Sequence, residues 1–357
     1  MSDVPEPDAL SGAPHPRHAR VVVGHDRAEA AFLDAWNSGR LHHGWLLTGP
    51  RGVGKATLAW RMARFLLTDP PRPAETLDPP GGHPALARIE ALAEPSLLLL
   101  RRPYDAKTKR LKTVITGEEA RRLGPFLGLS AGAGDRRVVI IDAADEMNPT
   151  AANAILKLLE EPPRAVTLLL VSHQPARLLP TIRSRCRVLR LDPLSPPDLE
   201  RAALAAGLEP PGAGLAELAG GSVGGAASLG QGGGAQIYAD LVRLLGRLPM
   251  DRGAARKLAD ANAGRAAAET LPVTLAMLDK LMHRAARAGL VGPPPEAVPG
   301  EAEVLARLAP HDAAARRWAA VAQEVADRAA HGAAVNLDGA SIVWDALARV
   351  EAAAREA

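Results

Sequence analysis

The sequence predicts an α/β domain built on a parallel sheet, followed by a small helical domain and a larger all-helical one. Three observations predict it. Between Val21 and Pro193 short apolar runs alternate with helical patterns, the pattern of strands joined by crossover helices. After Leu194 the strand signals stop. A glycine-rich segment, Gly49-Pro50-Arg51-Gly52-Val53-Gly54-Lys55, lies between an apolar run and a helical pattern, the setting in which backbone N–H groups wrap phosphate.

Taken in order, residues 1–20 are proline-rich and polar, and a disordered N-terminus is expected there. Strands are expected at Gly44–Thr48, Leu97–Leu100, Val138–Ile141, Val166–Val171 and Arg187–Leu191. Most are nearly continuous apolar runs, as parallel strands covered on both faces should be. A helix is expected over Lys55–Leu67, with Leu58, Met62 and Phe65 on one stripe. A second follows Met147: Asn148 caps it, Pro149 fits its first turn, and Glu161-Pro162-Pro163 ends it. A small helical domain is expected over 194–235, where the glycine-rich stretch Gly220–Gly234 first reads as a hinge. Beyond it, 237–248, 270–290, 313–331 and 341–355 read as helices of a third domain, 236–357, with Pro293-Pro294-Pro295 as a break.

Composition narrows the function classes. Aromatic residues make up 3% of the chain, so the cores must be built from Leu, Val and Ala. The net charge of +3 permits nucleic-acid contact without requiring it. The single cysteine, Cys186, excludes an internal disulfide and a cysteine-rich zinc module. No apolar run approaches the roughly 18 residues of a membrane span, and the first residues lack the apolar core of a signal peptide. A cytoplasmic protein without membrane contact is expected.

The phosphate loop has the right context and an incomplete set of groups. Gly49, Gly52 and Gly54 supply the turn, and Lys55 would reach the β- and γ-phosphates. The position that should offer a Mg²⁺-binding hydroxyl is Ala56. Thr57 follows, but one helical step turns a side chain by about 100°, so its hydroxyl is expected to point elsewhere. The strand Val138–Ile141 ends in Asp142, suited to hold Mg²⁺. The next residue is Ala143 rather than an acid able to activate water, a loss worth about 10²–10⁴ in rate.

With these residues in view, the chain resembles the clamp-loader branch of the AAA+ proteins, and within it the delta-prime family of bacterial DNA polymerase III. The resemblance rests on Leu41-His42-His43-Gly44-Trp45-Leu46-Leu47, Asp142-Ala143-Ala144-Asp145-Glu146-Met147-Asn148, 151–163 ending Leu158-Leu159-Glu160-Glu161-Pro162-Pro163, and Leu179-Pro180-Thr181-Ile182-Arg183-Ser184-Arg185-Cys186. Asn336-Leu337-Asp338 resembles part of the family's last collar helix. The resemblance implies an AAA+ P-loop-like α/β domain over 21–193, a helical lid over 194–235 and a collar for oligomerisation over 236–357. It implies that Arg185 is an arginine finger, projected onto the ATP of a neighbouring subunit. Without the resemblance, Arg183, Arg185, Arg187 and Arg190 read as a solvated basic face. Ser172 or His173 takes the family's first sensor position, and Gly224 stands where active relatives have the second sensor's arginine.

Ala56, Ala143 and Gly224 together imply a subunit that does not turn over ATP, with Gly49, Gly52, Gly54, Lys55, Thr57, Asp142 and Ser172 as a nucleotide site that has lost its use. No cofactor is required on this reading, zinc is not expected, and ATP binding is left open. The implied partners are gamma/tau-type ATPase subunits and a delta subunit in a hetero-oligomeric ring, a sliding clamp, and primer–template DNA reached through the complex. Two other readings stay open: an active AAA+ ATPase with a non-standard Mg²⁺ ligand, and a binding module that keeps the loop only as a turn. The basic segment 101–112 offers Arg101, Arg102, Lys107 and Lys109 to DNA phosphates; an exposed hairpin is the plainer reading.

Overall fold

The structure, a computed structural model, describes residues 5–9, 13–128, 136–264 and 267–356, without the side chains of 267–269. Its strands are β1 (Gly44–Thr48), β2 (Leu97–Arg101), β3 (Tyr104–Asp105), β4 (Arg110–Leu111), β5 (Arg137–Asp142), β6 (Val166–Ser172) and β7 (Arg187–Arg190). Helices α1 (Asp26–Asn37), α2 (Lys55–Thr68), α3 (Pro84–Glu90), α4 (Gly117–Arg121), α5 (Leu123–Gly128), α6 (Pro149–Glu160), α7 (Pro180–Ser184) and α8 (Pro196–Ala205) accompany them. The chain then continues through α9 (Ala213–Ala219), α10 (Val223–Gln231), α11 (Gly234–Gly246), α12 (Arg252–Asp260), α13 (Ala267–Val291), α14 (Glu301–Leu308), α15 (Asp312–Ala334) and α16 (Gly339–Arg355).

Five strands form one parallel sheet in the order β2-β5-β6-β1-β7, and β3 and β4 make a separate antiparallel hairpin. All five expected sheet strands are present, with ends shifted by one residue at most. Residues alternate between faces, as the pleat requires. Leu46, Ile141, Leu168 and Leu170 share one core with Ile155 of α6 and Ile182 of α7. On α1, Phe32 meets Trp45 edge-on with ring centroids 4.9 Å apart, and Trp36 meets Phe65 of α2 at 5.2 Å. The register pairs Thr48 with Ser172 and Asp142 with Val171. The carboxyl ends of β1, β5 and β6 therefore lie side by side, where ligands of such sheets bind.

The described residues of the N-terminal segment are held against α2. His15 is 7% exposed and stands edge-on to Trp60 at 6.2 Å. From α2, Arg64 donates to the carbonyls of Arg17 (2.9 Å) and Ala19 (2.6 Å), and Arg61 donates to that of Arg20 (2.8 Å). These donors come from a distant helix, so no local pattern could reveal them. Residues 1–4 and 10–12 lie outside the described residues.

The hinge expected in the glycine run gives way to helix α10. Gly225 N donates to the Ser222 hydroxyl at 2.9 Å, an N-cap that offsets the weak helix propensity of glycine. The chain divides into two compact units, Met1–Pro210 with Gly221–Gly225, and Pro211–Gly220 with Ala226–Ala357.

In the second unit, Tyr238, Leu241, Leu278, Leu305, Trp318 and Val343 are buried in one core. Asp338 caps α16, its carboxylate accepting from Ala340 N at 3.1 Å, so Asn336-Leu337-Asp338 lies immediately before that helix. Helices α12 and α14 were not expected from the periodicity. Each is short, and α12 is Ala- and Arg-rich, with only Ala255 and Ala259 buried. Among the described residues no helix is long and apolar enough to cross a membrane.

Candidate nucleotide-binding site

A cleft of about 140 Å³ opens at the carboxyl ends of β1, β5 and β6, bordered by Gly52, Gly54, Lys55, Thr57, Asp142 and His173. Its floor is the glycine loop. Gly49 has φ +143°, and a Cβ there would lie 2.2 Å from the carbonyl oxygen of Leu191. Gly52 has φ +75°, and a Cβ would lie 2.5 Å from the Ser222 hydroxyl. Only glycine fits both the backbone conformation and the approach.

The loop is held from far along the chain. The Ser222 hydroxyl donates to Arg51 O at 2.8 Å, and Gly224 N donates to Gly52 O at 3.1 Å. The His25 ring contacts Val53 O through Nε2 at 2.8 Å. Gly224 thus borders the cleft and brings no side chain to it.

Lys55 opens α2 and is 2% exposed. Its ammonium donates to Gly49 O (2.7 Å) and Pro50 O (2.5 Å). Burial pulls its pKa down to about 8, against the opposing pull of Asp142 and Asp145. Asp142 is 6% exposed; burial pushes its pKa up to about 7, reinforced by the nearby Asp8 and opposed by Lys55. Burial thus disfavours the charged form of both groups, and each partly offsets that effect in the other.

Ala56 and Ala143 border the same cleft and offer it no side-chain oxygen. Thr57, two residues after Lys55 on α2, also lines the cleft. The first turn of a helix has no preceding turn to cover it, so consecutive residues there can share one opening. Ser172 is fully buried and does not border the cleft, whereas Val171 and His173 do. Strand alternation explains the difference. His173 thus borders the opening, and its backbone N–H donates to the Asp145 carboxylate at 2.8 Å. Burial, with Lys55 adding to it, pulls the imidazole's pKa down to about 4, so it is neutral at pH 7.

Arg185 lies outside this cleft. It follows the last residue of α7, and its side chain is 37% exposed. One guanidinium nitrogen donates to Thr181 O at 3.1 Å, and another lies 3.0 Å from the Glu160 carboxylate.

The basic segment is split by its partners. Arg101 pairs with Asp8 (2.5 Å) and Glu6 (3.1 Å), and Arg102 with Glu146 (2.8 Å). Both side chains are three-quarters buried and engaged by carboxylates far away in sequence. Lys107 and Lys109 are exposed on the β3–β4 hairpin, where Asp105 accepts from the N–H groups of Lys107 (2.8 Å) and Thr108 (3.3 Å). Those bonds hold the Asp105 carboxyl below its ordinary range. Asp8, which borders the cleft with its side chain fully buried, carries no sequence signal of a role there.

A family model described as DNA polymerase III, delta subunit, matches residues 24–195. The DNA polymerase III subunit delta′ of Pseudomonas aeruginosa is 42% identical over 144 residues, covering 40% of this chain and 41% of that protein. The DNA polymerase III subunit tau of Escherichia coli is 32% identical over 173 residues, covering 48% of this chain and 25% of that protein. The match spans less than half the length of either relative. A solved DNA polymerase III gamma subunit-related protein from Thermotoga maritima superposes with a TM-score of 0.37 at 17% identity, covering 91% of this chain and all of that one.

Proposed function

We propose, from the premise that residues 24–195 belong to the delta-prime family of DNA polymerase III subunits, that the chain is a non-hydrolysing clamp-loader subunit donating Arg185 to a neighbour's ATP. Its partners on this reading are gamma/tau-type ATPase subunits and a delta subunit in one ring. Together they would open a sliding clamp and place it on primer–template DNA.

The observation that carries this reading is the separation of two functions. The chain's own cleft is bordered by Ala56, Ala143 and Gly224 where a hydroxyl, an acid and an arginine would serve hydrolysis. Its Arg185 stands outside that cleft and partly open to solvent. An arginine that cannot serve its own site is available to another. In a water-poor interface a guanidinium on a transferring phosphoryl group is worth about 10³–10⁵ in rate.

The test is a reconstituted assembly carrying Arg185→Ala. Assembly is expected to persist while DNA-stimulated hydrolysis by the neighbouring subunit falls. Unchanged hydrolysis would remove the donated arginine. Separately, the isolated chain should show no ATP turnover; robust turnover abolished by Lys55→Ala would establish an active ATPase instead.

A further inference from the structure

We infer that Glu160 is a positioning residue for Arg185, an anion of the same chain that holds the guanidinium in the free subunit and gives it up to the neighbour's phosphate. This rests on the reading of Arg185 as a donated arginine.

The pairing is built by two helices packed together. Glu160 is the last residue of α6, and Arg185 follows the last residue of α7. The α6 side is fixed at its start by Asn148, whose side chain accepts from Ala151 N at 2.9 Å, and by Ile155 and Leu159 in the core. The α7 side is fixed by Ile182, fully buried in that same core. The two side chains therefore meet from anchored backbones: one guanidinium nitrogen lies 3.0 Å from the carboxylate, and another donates to Thr181 O at 3.1 Å. The guanidinium is bound on one edge by its own helix and on another by an acid.

The exposure of the pair decides what it can do. The side chains are 37% and 43% exposed, so water screens the attraction and it is weak. A fully buried acid would keep the arginine and prevent donation. A surface acid orders the guanidinium yet is readily displaced by a phosphate in a drier interface, where charge-assisted bonds are stronger. Replacing Glu160 with the near-isosteric Gln should release Arg185 earlier, raising the neighbour's hydrolysis in the absence of DNA by about two- to fivefold, the range of an exposed ion pair.

The experiment has two arms on the full-length chain. In the isolated chain, the Arg185 guanidinium resonances should move on Glu160→Gln and stay near the wild-type position on Glu160→Asp. In the assembly with its ATPase partners, Glu160→Gln should raise the neighbour's kcat and leave its KM for ATP unchanged. Added salt should narrow the gap, since it weakens the pair in the wild type. In an Arg185→Ala background the same substitution should change nothing. If Arg185→Ala lowers hydrolysis but Glu160→Gln leaves kcat unchanged or lower, the inference is overturned and the donated arginine stands. Should Arg185→Ala itself be silent, the donated arginine falls and this inference with it. Unmoved guanidinium resonances in Glu160→Gln would dismiss the pairing directly.

Discussion

The ammonium of Lys55 donates to the carbonyl oxygen of Gly49 at 2.7 Å, so the phosphate loop closes on its own lysine. With Pro50 O as a second acceptor at 2.5 Å, a group associated with phosphate also serves as a structural bolt for the turn. A fully buried acceptor left without a donor costs about 1–3 kcal/mol, and here the Gly49 carbonyl belongs to a half-buried residue and the Pro50 carbonyl to an exposed one. Lys55→Ala is therefore expected to destabilise the isolated chain by on the order of 1–2 kcal/mol, read as a lowered midpoint in urea. A midpoint unchanged within error would mean that the two carbonyls find other donors.

Across the same cleft, Asp142 makes stability depend on pH. Its folded pKa, about 7, lies above the ordinary 3.8, chiefly through burial. A raised carboxyl pKa contributes stability that is complete below the unfolded value and is lost as pH rises through the folded one. The contribution should thus be full near pH 4 and gone above pH 7. Asp142→Asn, neutral throughout, should be the more stable protein at pH 8 by on the order of 2–4 kcal/mol, with the difference vanishing towards pH 4. Denaturation at both pH values checks it; equal midpoints at pH 8 would contradict the raised pKa.

The pairing of Arg101 leads to a third expectation. Asp8 has a fully buried side chain and is held by Arg101 at 2.5 Å, with His15 at 3.1 Å. Removing one partner of a buried pair costs about 3–5 kcal/mol, and His15 retains part of the interaction. Arg101→Ala should therefore lower stability by roughly 2–4 kcal/mol. Lys107→Ala with Lys109→Ala, both exposed, should leave stability within about 0.5 kcal/mol. If the assembly binds DNA through this hairpin, only the lysine pair should reduce the salt dependence of binding. A stable Arg101→Ala chain would show the N-terminal carboxylates to be dispensable.

These contrasts show which features were legible in the sequence. Strand positions were, because buried parallel strands are continuous apolar runs, and β1, β5 and β6 are buried at nearly every residue. The helix after Met147 was too, because Asn148 and Pro149 are local signals that the cap geometry obeys. What escaped depends on residues far apart in the chain. Ser222 reaches Arg51, Arg64 reaches Arg17, and Glu6 reaches Arg101, and nothing near any of these residues announces its partner. The same holds within the site: strand alternation places His173, not Ser172, at the border of the cleft, a choice fixed by the exact register of β6.

The second unit contains the clearest case of such a hidden partner, Glu301. It is fully buried and accepts from the Tyr238 hydroxyl (2.5 Å), from Arg284 Nε (2.6 Å) and from Ala297 N (2.5 Å). Burial, then the bond to Glu301, raises the Tyr238 hydroxyl above its ordinary pKa. A buried carboxylate is tolerated only when its oxygens are satisfied, and three donors from three chain segments do so here. Glu301→Ala would strand those donors together, including the largely buried guanidinium of Arg284. A loss of about 3–5 kcal/mol is expected. Tyr238→Phe removes only one donor and should cost about 1–2 kcal/mol. The two substitutions share one network, so their effects should not add. A double variant as stable as Glu301→Ala alone would place the whole role of the Tyr238 hydroxyl in that bond, whereas strict additivity would show that the two side chains act independently.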